Sequence, residues 1–145
     1  MASSAPKRIT VIGATSQQGT SVLHSLLRSS TPFALRGTTT SPTSPAALAL
    51  AEQGVEIVQT SVTSPSSLAE AFADTWAVFL NTNSHIDTVR ADETAHASRI
   101  ADAAKEAGVE VLVYSSLPSM SKLSAGKFPM LAWDRKQIQE CVGGV

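Results

Sequence analysis

The stretch 9-ITVIGATSQQGTSVLHSLL-27 decides the fold, because it passes from a strand pattern to a helix pattern through one short turn. Residues 8–12 are β-branched and almost continuously apolar, the pattern of a short strand buried on both faces. Val22, Leu23, Leu26 and Leu27 form one stripe of a helix expected over 17–29. Between them a turn runs from Gly13 to Gly19, with Ser16 midway. After a first strand, this is where a phosphate-cradling loop carries three glycines. Gly13 permits the tight turn and Gly19 lets the helix pack close to the sheet. The middle glycine, which normally lets the backbone approach a pyrophosphate, is Ser16 here. Its Cβ takes up room, and its hydroxyl can compensate by capping the helix or by meeting a phosphate oxygen. The helix would aim its free N–H groups at an anion in either case. The same spacing also serves a plain strand-to-helix turn.

The alternation continues along the chain. Strands are expected at 33–38, 55–59, 76–81 and 109–116, and helices at 46–54, 65–74 and 86–108, with a last helical fragment over 131–142. Gly54 and Gly108 stand where helices end, and Pro65 suits a first turn. The Ser/Thr/Pro cluster 38-TTTSPTSP-45 reads as a loop, as does the segment from 117 to about Pro129. Five strands, each followed by a helix, imply an α/β fold of the Rossmann type: a doubly wound parallel sheet in the order 3-2-1-4-5, with helices on both faces. No repeat is present beyond this alternation. The 145 residues make a single domain, 1–145.

Composition narrows the function. Apolar residues are 43% and charged residues 16%, and the net charge is −1. With a pI near 6.3, no basic face grips nucleic acid by neutralising phosphates. The lone Cys141 excludes an internal disulfide and suits a reducing compartment. No stretch reaches the ~20 apolar residues of a membrane span, and the polar start MASSAPKR is no signal peptide. The expected location is cytoplasmic, with the nucleus open to so small a chain.

Ligands of such sheets bind outside the strand ends where the order reverses, here between strands 1 and 4. Gly13 to Gly19 and Asn81-Thr82-Asn83 both point into that crevice. The motifs 13-GATSQQG-19, 77-AVFLNTN-83, 100-IADAAKEAGVEVLVYSSLPS-119 and 128-FPMLAWDRKQIQECV-142 together resemble the NmrA-like proteins, atypical members of the short-chain dehydrogenase/reductase superfamily. The resemblance covers nearly all of this chain, but only the N-terminal, dinucleotide-binding part of the family; its C-terminal substrate or partner region is expected to be lacking. It implies binding of NADP(H) or NAD(H), often for redox sensing and regulation through protein partners such as a transcription regulator. It equally admits an enzyme of the isoflavone-reductase or quinone-reductase kind. By the resemblance, Gly13, Thr15, Gln17, Gln18 and Gly19 match the pyrophosphate loop. Thr82 and Asn83 match a contact near the ribose and nicotinamide, and Lys136 the lysine that reaches the nicotinamide ribose.

The departures from the family weaken the expected grip. The arginine that holds the 2′-phosphate of NADP is replaced by Thr40, and Arg36, close in sequence, lies within the strand. The family's Gly-Asp after strand 3, whose Asp addresses adenine, is Thr60-Ser61 here. Hydroxyl residues thus stand at 16, 40 and 61. Losing a charge-assisted contact forfeits about 1.5–3 kcal/mol and a neutral one about 1 kcal/mol, so the deficit is on the order of 10²-fold in affinity. The strand also lacks the acidic residue of an NAD-specific site, which favours NADP(H) over NAD(H). A degenerate domain that binds no cofactor is the third reading.

Reductases of this superfamily pair Lys with a Tyr four residues earlier, and that position is Ala132. Lys136 is therefore the one catalytic candidate, for an enzyme completed by further chain or an assembly. Tyr114 reads as strand packing, as do Trp76 and Phe79, while Ser115 and Ser116 end strand 5 at the crevice. His24, His85 and His96 show no metal-ligand spacing. Asp87, Arg90, Asp92, Glu93 and Arg99 read as a solvated or paired face of the fourth helix. Trp133 on the last helix and the edge of strand 5 suggest self-association or a protein partner.

Overall fold

Short apolar runs that end in serine- and proline-rich loops set the architecture. In the computed structural model, which describes residues 5–82, 93–117 and 119–128, the runs become strands and four of the loop serines start helices. The order is β1 (Arg8–Val11), α1 (Gln17–Leu27), β2 (Ala34–Thr39), α2 (Pro45–Glu52), β3 (Glu56–Gln59), α3 (Pro65–Phe72), β4 (Ala77–Leu80), α4 (Glu93–Glu106), β5 (Val111–Tyr114) and α5 (Met120–Leu123). The Ser16, Ser44, Ser64 and Ser119 side chains accept the amides of Gly19, Ala47, Ser67 and Lys122, at 3.1, 3.3, 3.4 and 3.2 Å. Four helices therefore begin with the same N-cap device. Pro45 and Pro65 follow two of these caps, where a missing N–H costs nothing. Gly54 adopts φ +93 just past the C-cap of α2.

The strands form one parallel sheet in the expected order, β3-β2-β1-β4-β5. α1 and α2 cover one face around Val11, Leu23, Leu35 and Leu50. α3 and α4 cover the other around Ile12, Leu68, Phe72, Leu80 and Ile100. Leu23, Leu68 and Phe72 are fully buried, and each contributes about 1.5–3 kcal/mol by leaving water. Among the described residues no helix is long and apolar enough to cross a membrane.

The structure departs from expectation in two places. Residues 120–123 form α5 inside a segment read as a loop, because the proline and glycines around it outweighed the Ser119 cap in the sequence pattern. α4 is described from Glu93 onward, so the expected helical residues 86–92 lie outside the described residues, as does the fragment 131–142.

Two glycines fix how the first loop seats on the sheet. A Cβ on Gly19 would lie 2.1 Å from the Gly13 carbonyl oxygen, and one on Gly37 would lie 2.6 Å from the Ala14 Cβ. Both close approaches are to parts of the molecule that cannot swing aside. Gly19→Ala is accordingly expected to lower stability by at least about 2 kcal/mol, read from the midpoint of urea unfolding. A variant as stable as the parent would show that α1 need not start so near the loop.

Candidate functional site

The strand order reverses between β1 and β4, and there the carboxyl ends of the strands open into a cavity of about 310 Å³. Its floor is the β1–α1 loop, where Gly13 has φ +71, a left-handed conformation that glycine adopts without strain. The loop is laced to β2: Gly13 donates to Thr38 Oγ1 at 3.4 Å, and the Ala14 amide to the Thr38 carbonyl at 2.9 Å. Ser16 lines the cavity while its hydroxyl accepts the Gly19 amide. Of the two compensations open to it, the cap is therefore formed. The amides that begin α1 at Gln17 and Gln18 have no acceptor within the helix.

One wall is the end of β2, with Thr38, Thr39 and Thr40, and the other is Asn81 and Thr82 after β4. Ile12, Thr60, Val62, His96 and Ile100 complete the lining. No Lys, Arg, Asp or Glu is among these lining residues. Among the described residues, attraction for an anion comes from amides, the end of α1 and hydroxyls.

Of the expected site residues, Gly13, Thr15, Ser16, Thr40 and Thr82 are brought together around this cavity. Gly19 lies buried beneath the loop and Gln17 is exposed on α1. Gln18 turns toward β5, where its Oε1 accepts the Ser115 hydroxyl at 2.7 Å. Asn83 and Lys136 lie outside the described residues, as do Ala132, Cys141, His85 and Trp133.

Arg36 is taken up elsewhere. It is 7% exposed and holds Glu56 through Nε and Nη2 at 3.0 and 3.2 Å. Its Nη1 donates to the carbonyls of Ala71 and Ala73, both at 2.9 Å, at the end of α3. The guanidinium thus ties β2, β3 and α3 together and does not serve the cavity. Ser61 likewise turns away, pairing its hydroxyl with that of Thr63 at 2.8 Å. Thr60, the neighbour with its hydroxyl inside, is the residue that faces the site.

The reading of Glu93 as part of a solvated face is corrected. Glu93 is 1% exposed, and the Thr82 hydroxyl donates to its Oε1. His96, passed over for want of a metal partner, is 8% exposed and lines the cavity. Glu93, His96 and Ile100 recur at helical spacing on one face of α4, and that stripe was the signal in the sequence. Among the described residues, the buried side-chain atoms left without a hydrogen bond are Thr60 Oγ1, Glu93 Oε2, His96 Nδ1 and the Tyr114 hydroxyl. All four belong to segments around this crevice, although polar atoms so buried are normally paired. Tyr114 packs against the α3/α4 core as expected. Burial first, and the charge of Glu93 second, raise its pKa, while the Thr82 hydroxyl beside it acts in the opposite direction.

Comparison with known proteins agrees with this geometry. The model of the NmrA-like family matches residues 5–142. The NmrA-like family domain-containing oxidoreductase ptmS of Penicillium ochrochloron is 41% identical over 135 residues, which are 90% of this chain and 40% of that protein. Among solved structures, NmrA, a negative transcriptional regulator, in complex with NADP superposes with a TM-score of 0.76 at 27% identity, over 90% of this chain and 39% of that one. The NADPH-dependent quinone oxidoreductase QOR2 of Escherichia coli, with NADPH, gives 0.71 at 26% identity, over 88% and 41%. The chain thus spans about two fifths of the length of the relatives it matches.

Two outcomes are expected. Arg36→Gln removes the donor to the Ala73 carbonyl, one of the donors to Ala71 and the ion pair to half-exposed Glu56, and should cost about 1–3 kcal/mol in unfolding experiments. Unchanged stability with weakened NADP+ binding would instead place the side chain at the cavity. Tyr114 is the chain's one tyrosine, so absorbance near 295 nm follows it alone. Its midpoint should lie above the ordinary 10.0. The folded phenol keeps its proton where the unfolded one ionises, so stability falls as pH rises past about 10. Tyr114→Phe should remove that part of the alkaline loss, and a midpoint at or below 10 would refute the burial argument.

Proposed function

The chain belongs to the NmrA-like family, and from that premise we propose that it binds a nicotinamide dinucleotide across the β1/β4 crevice, as the cofactor-binding part of an oxidoreductase. The observation that carries the proposal is the cavity itself: a glycine turn, the open end of a helix and a row of hydroxyls at the reversal of strand order. The residues fit the group. Gly13, Thr15 and the first amides of α1 would take the pyrophosphate, and Thr38 to Thr40 offer hydroxyls to the adenosine ribose. The orphaned Thr60 Oγ1 and His96 Nδ1 are polar atoms that a ligand would satisfy. When bound, the nicotinamide supplies or accepts a hydride. This chain's part is to orient the dinucleotide and hold its phosphates, while Glu93 fixes the rotamer of Thr82 on the crevice wall.

For the choice of cofactor, the end of β2 presents neither cation nor carboxylate. Arg36 is bound to Glu56, and the Thr39 hydroxyl accepts the Ser41 amide at 3.1 Å. With no carboxylate to repel a 2′-phosphate, the site favours NADP(H) over NAD(H), but only by the margin that neutral donors give.

A second reading, a dinucleotide-responsive regulator acting through protein contacts, is supported by the exposed apolar side chains beyond the crevice. Val113, Leu123 and Phe128 are 51%, 70% and 68% exposed, which is the kind of surface a partner or a second copy covers. Oxidation of NADPH by a quinone separates the two: turnover favours the enzyme, and binding without turnover the regulator.

Calorimetric titration should show NADP+ and NAD+ binding with affinities within about tenfold of each other, a difference of about 1.4 kcal/mol or less. A folded chain that binds neither at millimolar concentration would remove the proposal.

A further inference from the structure

The loop that joins β2 to α2 carries a modifiable group at the rim of the cavity. Three serines of this chain precede a proline: Ser41, Ser44 and Ser64. Two of them are engaged, because the half-buried Ser44 and Ser64 cap α2 and α3 with their hydroxyls. Ser41 is exposed, and among the described residues its hydrogen bonds run through its backbone. Its amide donates to Thr39 Oγ1 at 3.1 Å, and its carbonyl accepts the Ser44 amide at 3.1 Å. The backbone is thereby fixed against Thr39, a residue of the cavity lining, while the hydroxyl is left open to reaction. An exposed serine followed by proline is the acceptor that proline-directed serine/threonine kinases recognise. Proline brings no N–H to the next subsite of the kinase, and it biases the serine toward the extended backbone such a cleft takes.

Resting on the dinucleotide reading above, we propose that Ser41 is a phosphorylation site of a proline-directed kinase, and that its phosphate weakens the hold on the cofactor, on NADP(H) more than on NAD(H). In the transfer, the Ser41 hydroxyl oxygen attacks the γ-phosphorus of ATP. A new O–P bond forms and the bond from that phosphorus to the β,γ-bridging oxygen breaks. ADP leaves, and the hydroxyl proton passes to the carboxylate base of the kinase. The product carries a charge of about −1.5 to −2 at neutral pH. It stands one residue from Thr40, which lines the cavity after β2. No Lys or Arg among the lining residues offsets that charge. It repels other phosphates over the ~8 Å that physiological salt leaves unscreened. The end of β2 is where the adenosine ribose would lie, so the extra phosphate of NADP meets the repulsion most directly. The modification supplies the anion whose absence favours NADP(H) in the unmodified chain. Thr31 also precedes a proline, but it lies before β2, at the opposite end of the sheet from the cavity.

The test is to treat the folded chain with a purified mitogen-activated protein kinase and ATP, map the phosphate by mass spectrometry, and titrate the product with NADP+ and NAD+. Ser41 should carry phosphate in preference to Ser44 and Ser64. The phosphorylated chain should bind NADP+ about tenfold or more weakly than the unmodified one, and its NADP+ to NAD+ affinity ratio should fall by about fivefold or more. Ser41→Glu should move the ratio in the same direction by a smaller factor, and Ser41→Ala should keep the parent's ratio after kinase treatment. A ratio between two ligands on one sample does not depend on the folded fraction, so a partly unfolded variant still reports. A kinase that modifies a Ser-Pro peptide but leaves Ser41 of the chain untouched would overturn the inference. A chain phosphorylated at Ser41 that binds both dinucleotides as the parent does would overturn it equally. Either result leaves the dinucleotide reading standing, whereas failure of the unmodified chain to bind either ligand would overturn both.

Discussion

The contact on which the crevice depends is the approach of α1 to the loop that precedes it. At Gly19 the helix runs so close to the Gly13 carbonyl that only a hydrogen side chain fits. The same is true one layer down, where Gly37 of β2 makes room for Ala14. These two approaches set the height of the loop above the sheet, and hence where the first amides of α1 point. Because the loop is also bonded to Thr38, its position is shared between β1 and β2 rather than left to a flexible turn. The Ser16 cap then closes the helix without a third glycine. A residue that looks like damage to a phosphate loop is, in this frame, part of the helix start.

The chemistry of the cavity follows from what the sheet has used elsewhere. Arg36, the arginine of β2, is drawn away from the cavity, where it satisfies Glu56 and carbonyls at the end of α3. Arg8 adds to that cluster, 3.8 Å from Glu56 and 3.9 Å from Asp74. Charge is thus concentrated toward the start of the strands and absent from the cavity at their ends. Hydroxyls and backbone amides hold phosphate less strongly than a guanidinium does. They also impose less choice between ligands that differ by one phosphate or one donor.

The parallel order, the helix faces and the glycine loop were legible because each rests on local rules: β-branched runs, 3.6-residue stripes and serines before helices. Arg36, Glu93 and His96 were less legible, for different reasons. Arg36 sits in an apolar strand, and only the fold reveals that β3 and the end of α3 converge on it. Glu93 was grouped by charge with Asp92 and Arg99, when its spacing to His96 and Ile100 puts it on the inner stripe. A residue's side of the helix decided its role more than its class did. Thr60 was noted for what it replaced, yet Ser61 beside it was counted as the substitute. One residue of register along a loop determines which hydroxyl is buried, and no composition rule supplies that.

Binding and reduction make different demands on the chain. Holding a dinucleotide needs a loop and a helix end that open on a cavity, and the lining of the β1/β4 cavity lies within the first hundred residues of this sequence. Reduction further needs a group that shelters the nicotinamide from water and presents a substrate to it. Toward β5 the described residues offer Gln18 and Ser115, paired with each other across the sheet ends. Neither is an acid or a base. Thr82 is held by a buried carboxylate, which fixes a hydroxyl but moves no proton to a substrate by itself. The described residues thus fix the loop and the crevice wall through backbone and hydroxyl contacts. Under the dinucleotide reading, the same scaffold would serve a reductase or a regulator, according to what is brought against the nicotinamide.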